Sequence, residues 1–309
     1  MLLEEELARF SPRQETLLTI GVFDGVHLGH KHLIARLIKQ ARSERCLAGV
    51  VTFRQHPQDF FSPGTRLPFL TDLTERTALL EEAGVDLIVP LSFNAELTRL
   101  SAREFLTRLQ KHLKMRGLVL GPDFALGKDR EGDVTALRRL GEEMGFSVSA
   151  VAPLTAGADI VSSTAIREAI IIGDVEKAER LMGRPFNLHG TVVSGTHRGQ
   201  QLGFPTANLK LNHEQALPTD GVYAGWAYVN DKRYPAMANI GKNPTFNGRV
   251  RTAEVHLLDF HGDLYGSELK VDLVKYLRGE KKFDTAEELK QQITDDIVMG
   301  RAALGCRTG

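Results

Sequence analysis

Apolar and β-branched residues fill positions 16–23, and Leu33, Ile34, Leu37, Ile38 and Ala41 then recur at the spacing of one helix face. The alternation continues. Strands are predicted over 47–53, 87–91, 118–121 and 147–152, and helices over 73–83, 101–113 and 134–146. Ser101 with Glu104 three residues on is a capping-box pattern that opens the helix at 101. Strands separated by helices predict a parallel sheet with helices on its faces. Such sheets bind ligands beyond the carboxyl ends of their strands. One more helical pattern covers 175–182.

From Leu188 the period changes to short alternating strands, predicted over 188–194, 222–229, 234–240, 254–260 and 269–276, with Gly, Pro and Asn at the turns. That spacing predicts a compact antiparallel β-barrel. Thr285 with Glu288 opens a last helix, and Leu289, Ile293 and Ile297 give it an apolar stripe to lay on the barrel. The expected fold class is α/β with a parallel sheet, followed by an antiparallel β-barrel with a C-terminal helix. The linker is expected around Gly183-Arg184-Pro185, giving domains 1–183 and 184–309.

Composition and charge exclude several classes. A chain of 309 residues suits about two domains at ~150 residues each. Residues 1–183 hold 23 Lys and Arg against 25 Asp and Glu, and the remainder holds 16 against 14. Neither half has the basic surplus of a nucleic-acid binder. There is no run of about 18 apolar residues to span a membrane, and residues 1–10 lack the basic-then-apolar order of a signal peptide. Cys46 and Cys306 show neither metal-ligand spacing nor a disulfide framework. A cytoplasmic protein is expected, with small-molecule partners and with no nucleic-acid, membrane or obligate protein partner.

Two segments carry phosphate chemistry. The first runs from Gly21 to His30 and places His27 and His30 on either side of Gly29, where a strand turns into a helix. Helix N-termini present free N–H groups and a positive dipole end to phosphate. Two imidazoles three residues apart can donate to phosphate oxygens and stabilise a departing pyrophosphate. Ser162-Ser163-Thr164-Ala165-Ile166-Arg167 opens a second helix after the last strand of the sheet, with hydroxyls and a guanidinium available to phosphate. The second segment is Gly203-Phe204-Pro205-Thr206-Ala207-Asn208. The Thr206 hydroxyl and the Asn208 amide oxygen are hard ligands that suit Mg²⁺. Gly199 and Gly203 flank a loop that can fold over phosphates, and Glu254 on a later strand is a candidate general base. Alone, each segment is equally a capped turn, a local hydrogen-bonded strand end or an edge charge.

Together with Thr52-Phe53-Arg54-Gln55-His56-Pro57, residues 121–127, Gly221-Val222-Tyr223, Asn239-Ile240-Gly241, Pro244-Thr245-Phe246, residues 263–266 and Leu277-Arg278, these motifs resemble the prokaryotic bifunctional riboflavin kinase/FMN adenylyltransferase (FAD synthetase) family. The likeness runs in order from about Thr16 to Ile297. It implies a Rossmann-like nucleotidyltransferase domain followed by a riboflavin kinase barrel. Riboflavin would be phosphorylated to FMN by Mg–ATP in the barrel. FMN would then be adenylylated by a second ATP to FAD in the first domain.

By resemblance, His27 and His30 are catalytic in adenylyl transfer. Gly21, Phe23, Asp24, Gly29, Ser163, Thr164 and Arg167 hold its nucleotide, and His56, Pro57 and Asp123 lie near the flavin. Arg198, Gly199 and Gly203 hold the kinase ATP, Thr206 and Asn208 the Mg²⁺, Glu254 acts as base and Arg278 contacts flavin. The chain departs from the family pattern at Pro122, Ala125, Leu126 and Gln200. Two other readings stay open: a kinase whose first domain lacks adenylylation, and a non-enzymatic flavin-binding module.

Overall fold

The order β3-β2-β1-β4-β7 places β1 (Thr16–Ile20) at the centre of a five-stranded sheet, flanked by β2 (Leu47–Phe53) and β4 (Met115–Leu120). Beyond them lie β3 (Leu87–Leu91) and β7 (Ser147–Ala150), and all pairings are parallel. The computed structural model describes residues 3–306 apart from 63, 65, 66, 158, 196–198, 200, 201, 213, 231 and 243–250. Its contacts divide the chain into two units, Met1–Ser162 and Ser163–Gly309.

Alternation along the strands builds two cores in the first unit. Leu18, Ile20, Val51, Phe53, Leu118 and Leu120 face one side, with Phe105, Leu106 and Leu109 of α6 (Ala102–Leu113). Leu17, Ala48, Val50 and Val119 face the other, with Ile34, Leu37 and Ala41 of α2 (Leu28–Ser43) and Leu80 of α4 (Leu73–Glu82). The capping box at Ser101 forms as expected, with Glu104 accepting from the Ser101 N–H. The strand expected over 16–23 ends at Ile20, because residues 21–27 leave the sheet to form the turn into α2. Short elements without a long period went unpredicted: α1 (Leu3–Ala8), α3 (Pro57–Phe61), α5 (Ala95–Arg99), and the hairpins of β5 (Ala125–Leu126) with β6 (Gly132–Asp133) and β8 (Thr155–Ala156) with β9 (Asp159–Ile160). Helix α7 (Val134–Met144) follows β6.

The second unit opens with α8 (Ser163–Ile171) and α9 (Val175–Met182), the latter packed on β10 (Phe186–Val193) and β15 (Glu268–Arg278). Gly183-Arg184-Pro185 joins α9 to β10. Among the described residues six antiparallel strands close a barrel in the order β10-β11-β14-β13-β12-β15. The others are β11 (Ala207–Leu211), β12 (Gly221–Val229), β13 (Lys232–Lys242) and β14 (Arg251–Leu257). Ala207, Leu209, Ala236, Ala238, Ile240, Ala253, Val255, Leu269, Val271 and Leu273 are buried and fill the interior, as a barrel this small requires.

The C-terminal helix α10 (Ala286–Ala303) starts at Thr285, whose hydroxyl accepts from the Glu288 N–H. Its expected stripe of Leu289, Ile293 and Ile297 is only half-buried. Polar and small contacts add to the hold. The Arg278 Nε and Nη2 donate to the two Asp296 oxygens at 2.8 and 2.7 Å, and Gly300 lies flat against Met237. Asp296→Ala strands the Arg278 guanidinium, whose side chain is only 21% exposed. The expected loss is about 3 kcal/mol, the low end of the range for a broken buried pair. Urea denaturation followed by Trp226, the single tryptophan and a β12 residue, reads it out; an unchanged midpoint contradicts it.

Candidate active sites

In the first unit His27 is the N-cap of α2, and its Nδ1 accepts from the His30 N–H at 3.3 Å. In the neutral ring that bond leaves the proton on Nε2, and the ring as a whole is buried, 4% exposed. The His27 and His30 rings stack with centroids 3.6 Å apart. Gly29 is required by close approach: a Cβ there would meet the Val161 carbonyl at 3.0 Å and the His27 ring at 3.1 Å. The chain entering Ser162 therefore lies over the first turn of α2, beside both histidines. Ser163, Thr164 and Arg167 open α8 in the second unit, and Arg167 is buried.

The turn itself is strained and clamped. Phe23 has φ 55° and Val26 φ 36°, a region that β-branched residues avoid. Asp24, 1% exposed, accepts from the N–H groups of Leu70 and Thr71 at 3.0 and 3.1 Å, and the Thr71 hydroxyl accepts from Gly25 N–H. Asp24 and Gly21 thus shape the turn: the Gly21 N–H donates to Val51 O, which ties the exit of β1 to β2.

In the segment expected to face the flavin, His56 is the N-cap of α3, with Pro57 at its first position and Nδ1 accepting from Gln58 N–H. Phe53, Phe60, Phe61 and Phe93 form edge-to-face contacts at 5.3–6.0 Å between ring centroids, and Phe61 is 66% exposed. Sequence reasoning missed this aromatic ledge; the signal was the Phe60-Phe61 doublet one turn after His56-Pro57. Asp123 lies exposed in the turn after β4, its carbonyl accepting from Arg130 at 3.4 Å.

In the barrel, strand register assembles the site. Asn208 pairs with Glu254, and Glu254 pairs with Asn239, so the three side chains stand in one row on the outer face. A Cβ on Gly195 would collide with the Asn208 amide, so glycine there leaves the amide its space. Burial pushes the Glu254 carboxyl above its usual range. The His256 Nδ1–H donates to the Pro205 carbonyl at 2.7 Å and pins the segment leading into Thr206, while Phe204 packs edge-on against the same ring. Burial lowers the His256 pKa and favours the neutral ring. A cavity of about 310 Å³ is lined by Thr206, Asn208, Phe260, Asp263 and Tyr265.

Gly203, with φ +89°, and Gly199 bound the preceding loop, where Phe204 N–H donates to Gly199 O. Arg198 and Gln200, and the motif Pro244-Thr245-Phe246, lie outside the described residues. Arg278 is placed in the ion pair with Asp296.

The model of the FAD synthetase family matches residues 10–165, and that of riboflavin kinase matches 182–304. The bifunctional riboflavin kinase/FMN adenylyltransferase of Escherichia coli is 38% identical over 96% of this chain and 95% of its own length. That of Pseudomonas fluorescens is 41% identical over 92% and 91%. The chain belongs to the bifunctional riboflavin kinase/FMN adenylyltransferase family. A crystal structure from Streptococcus pneumoniae described as a macrolide-efflux protein superposes with a TM-score of 0.89 at 32% identity, covering 96% of each chain. Among the described residues no helix is long and apolar enough to cross a membrane. With both family models matched, neither a kinase-only chain nor a non-enzymatic flavin module is favoured for this member of the bifunctional family.

The raised Glu254 pKa has a sign. Ionising this carboxyl costs more in the folded barrel than in the unfolded chain. The stability it contributes is therefore present below the unfolded pKa and lost as pH rises through the folded pKa. Glu254→Gln is expected to raise the Trp226-monitored unfolding midpoint at pH 8 and to leave it unchanged near pH 4. A lower midpoint at pH 8 contradicts the burial argument.

Proposed function

We propose that residues 184–309 phosphorylate riboflavin and that residues 1–183 adenylylate the FMN produced. The chain is a bifunctional riboflavin kinase and FMN adenylyltransferase. The kinase assignment rests on one observation above all: a half-buried carboxylate with a raised pKa stands beside Asn208 in the barrel's outer row. Glu254 takes the proton of the riboflavin 5′-hydroxyl. The freed oxygen forms a bond to the γ-phosphorus of ATP, and the bond to the β-phosphate oxygen breaks to release ADP. The Thr206 hydroxyl and the Asn208 amide are oxygen donors that fit Mg²⁺, and glycine at 195 leaves the amide the space it occupies. When bound, Mg²⁺ supplies charge neutralisation on the phosphates. The cavity at Thr206 takes the rest of ATP, with Phe260 and Tyr265 offering faces to the base.

In the first unit an FMN phosphate oxygen attacks the α-phosphorus of ATP, the α–β bridge breaks, and pyrophosphate leaves. His27 donates from Nε2 to the departing phosphate, and stacked His30 stands beside it at the same helix end. The isoalloxazine ring rests on the aromatic ledge of Phe61 and Phe93, beside His56-Pro57. Asp24 acts through shape, holding the Gly21–His30 turn rather than touching nucleotide. The enzyme works in the cytoplasm without a nucleic-acid or obligate protein partner.

Two substitutions separate the reactions. Glu254→Gln is expected to lower FMN formation from riboflavin by ~100-fold or more while sparing FAD formation from supplied FMN. His30→Ala is expected to lower FAD formation by ~100-fold and leave the kinase intact. Chromatography of flavin products from Mg–ATP incubations reads both; loss of both activities in either folded variant refutes the allocation. Phe61→Ala is expected to raise KM for FMN about tenfold, as loss of one stacking face implies, with KM for ATP in the same reaction unchanged. An FMN KM that does not move removes the ledge from the flavin site.

A further inference from the structure

Arg76 heads the large side chains that are fully buried, at 0% exposure. It comes from the first turn of α4, outside every motif used above. Its Nη1 donates to the Val22 carbonyl at 2.8 Å and its Nη2 to the Phe53 carbonyl at 2.9 Å. The guanidinium lies over the Phe69 ring, 5.4 Å from its centroid, and the charges facing it are those of Asp24 and Asp72. The Phe69 ring in turn packs near the His56 ring.

Those two carbonyls mark the places where the two halves of the site leave the sheet. Regular pairing of β1 with β2 stops at Ile20 and Val51. Val22 leads into Phe23 through His30, and Phe53 leads into Arg54, Gln55 and His56. One planar fork therefore spans the root of the phosphate turn and the root of the flavin loop. Thr52 adds a second donor to Val22 O, at 2.9 Å. The pairing of β1 with β2 does not depend on this arrangement. Five paired residues already join β1 to β2, and an apolar side chain of similar volume fills a buried site without the cost of desolvating a charge. The Arg76 Nε–H is itself buried without a hydrogen-bond partner among the described residues. What only a rigid two-pronged donor supplies is a fixed separation between two backbone segments.

We propose that Arg76 is a positioning residue for adenylyl transfer, setting the distance between the His27/His30 turn and the His56 loop so that the FMN phosphate meets the α-phosphate of ATP. The proposal rests on the assignment of adenylyl transfer to the first unit. A displacement of about 1 Å between reacting groups is enough to cost ~100-fold in rate.

The test uses the full chain and measures kcat and both KM values for FAD formation from supplied FMN, with kinase turnover as internal control. Arg76→Met is expected to lower kcat ~100-fold, with both KM values and the kinase rate within about threefold of wild type. Arg76→Lys, which keeps the charge but not the fork, is expected to recover part of the loss, to about tenfold below wild type. A merely structural residue behaves differently: both KM values rise together with a falling thermal midpoint, and lysine gives no rescue. That pattern, or an unchanged kcat in Arg76→Met, overturns the proposal. If Arg76→Met does not fold, Thr52→Val carries the test, since it removes only the second donor to Val22 O. A kcat about tenfold lower at constant KM supports the proposal, and an unchanged kcat overturns it. Wild type distinguishes the two levels of failure. No FAD from FMN in wild type refutes the adenylyltransferase assignment itself, whereas full activity in Arg76→Met refutes the role of Arg76 alone.

Discussion

A strand offers only alternate side chains to one face, and closing a barrel decides which set is outside. In the second unit the inward set is a packed core of aliphatic side chains with Phe186 and Tyr223, which fills the barrel and leaves no room for a substrate. Chemistry must therefore sit on the outer face, in whatever row the register lines up. The pairings of Asn208 with Glu254 and of Glu254 with Asn239 set that row, and a one-residue slip of β14 would bury Glu254 and expose Val255. The catalytic assignment thus depends on backbone register before it depends on any side-chain contact. The same alternation brings Met237 and Ala224 to the outer face, where α10 covers them.

The first unit solves a different problem. A parallel sheet aims all its strands one way, so their carboxyl ends release loops at one edge. The loop after β1 must hold two histidines at a helix start, and it does so with a strained Phe23 and Val26. Strain of that kind persists only when surrounding bonds over-determine it. Asp24, Thr71 and Gly25 provide those bonds, all between backbone segments rather than at the ligand.

Period and motif made the architecture legible before any coordinates: the alternation of strands and helices to Ala150, the barrel strands and the caps at Ser101 and Thr285 all appear in the sequence pattern. The local motifs were legible as spacings because His27, Gly29 and His30 fall within about one helical turn, and Thr206 and Asn208 lie two residues apart at the start of β11. Three things were not. The aromatic ledge joins Phe53, Phe60, Phe61 and Phe93 across 40 positions of sequence, which no period encodes. The Asp24 carboxylate accepts from Leu70 and Thr71, 46 and 47 positions away, a pairing that the local motif does not encode. The Arg278 guanidinium grips Asp296, 18 residues later on α10, a pairing that the Leu277-Arg278 motif does not encode. Side-chain partners chosen through tertiary packing leave no trace in local spacing.

Charged groups are buried in both units, and their burial has a common logic. Glu254 is half-buried, which disfavours its charge, and Arg76 is fully buried with one donor unmet among the described residues. Each costs stability that an amide or an apolar residue would return. For Glu254 the cost is basicity: a carboxylate that is harder to ionise holds a transferred proton more firmly. For Arg76 it is geometry, because a fork between two carbonyls resists the sliding that an apolar contact permits. A polar group kept where an apolar one would be more stable marks a place where position or proton affinity matters more than folding free energy. In this chain that criterion picks out the barrel's outer row and the carboxyl ends of β1 and β2, the same two places to which the phosphate motifs lead.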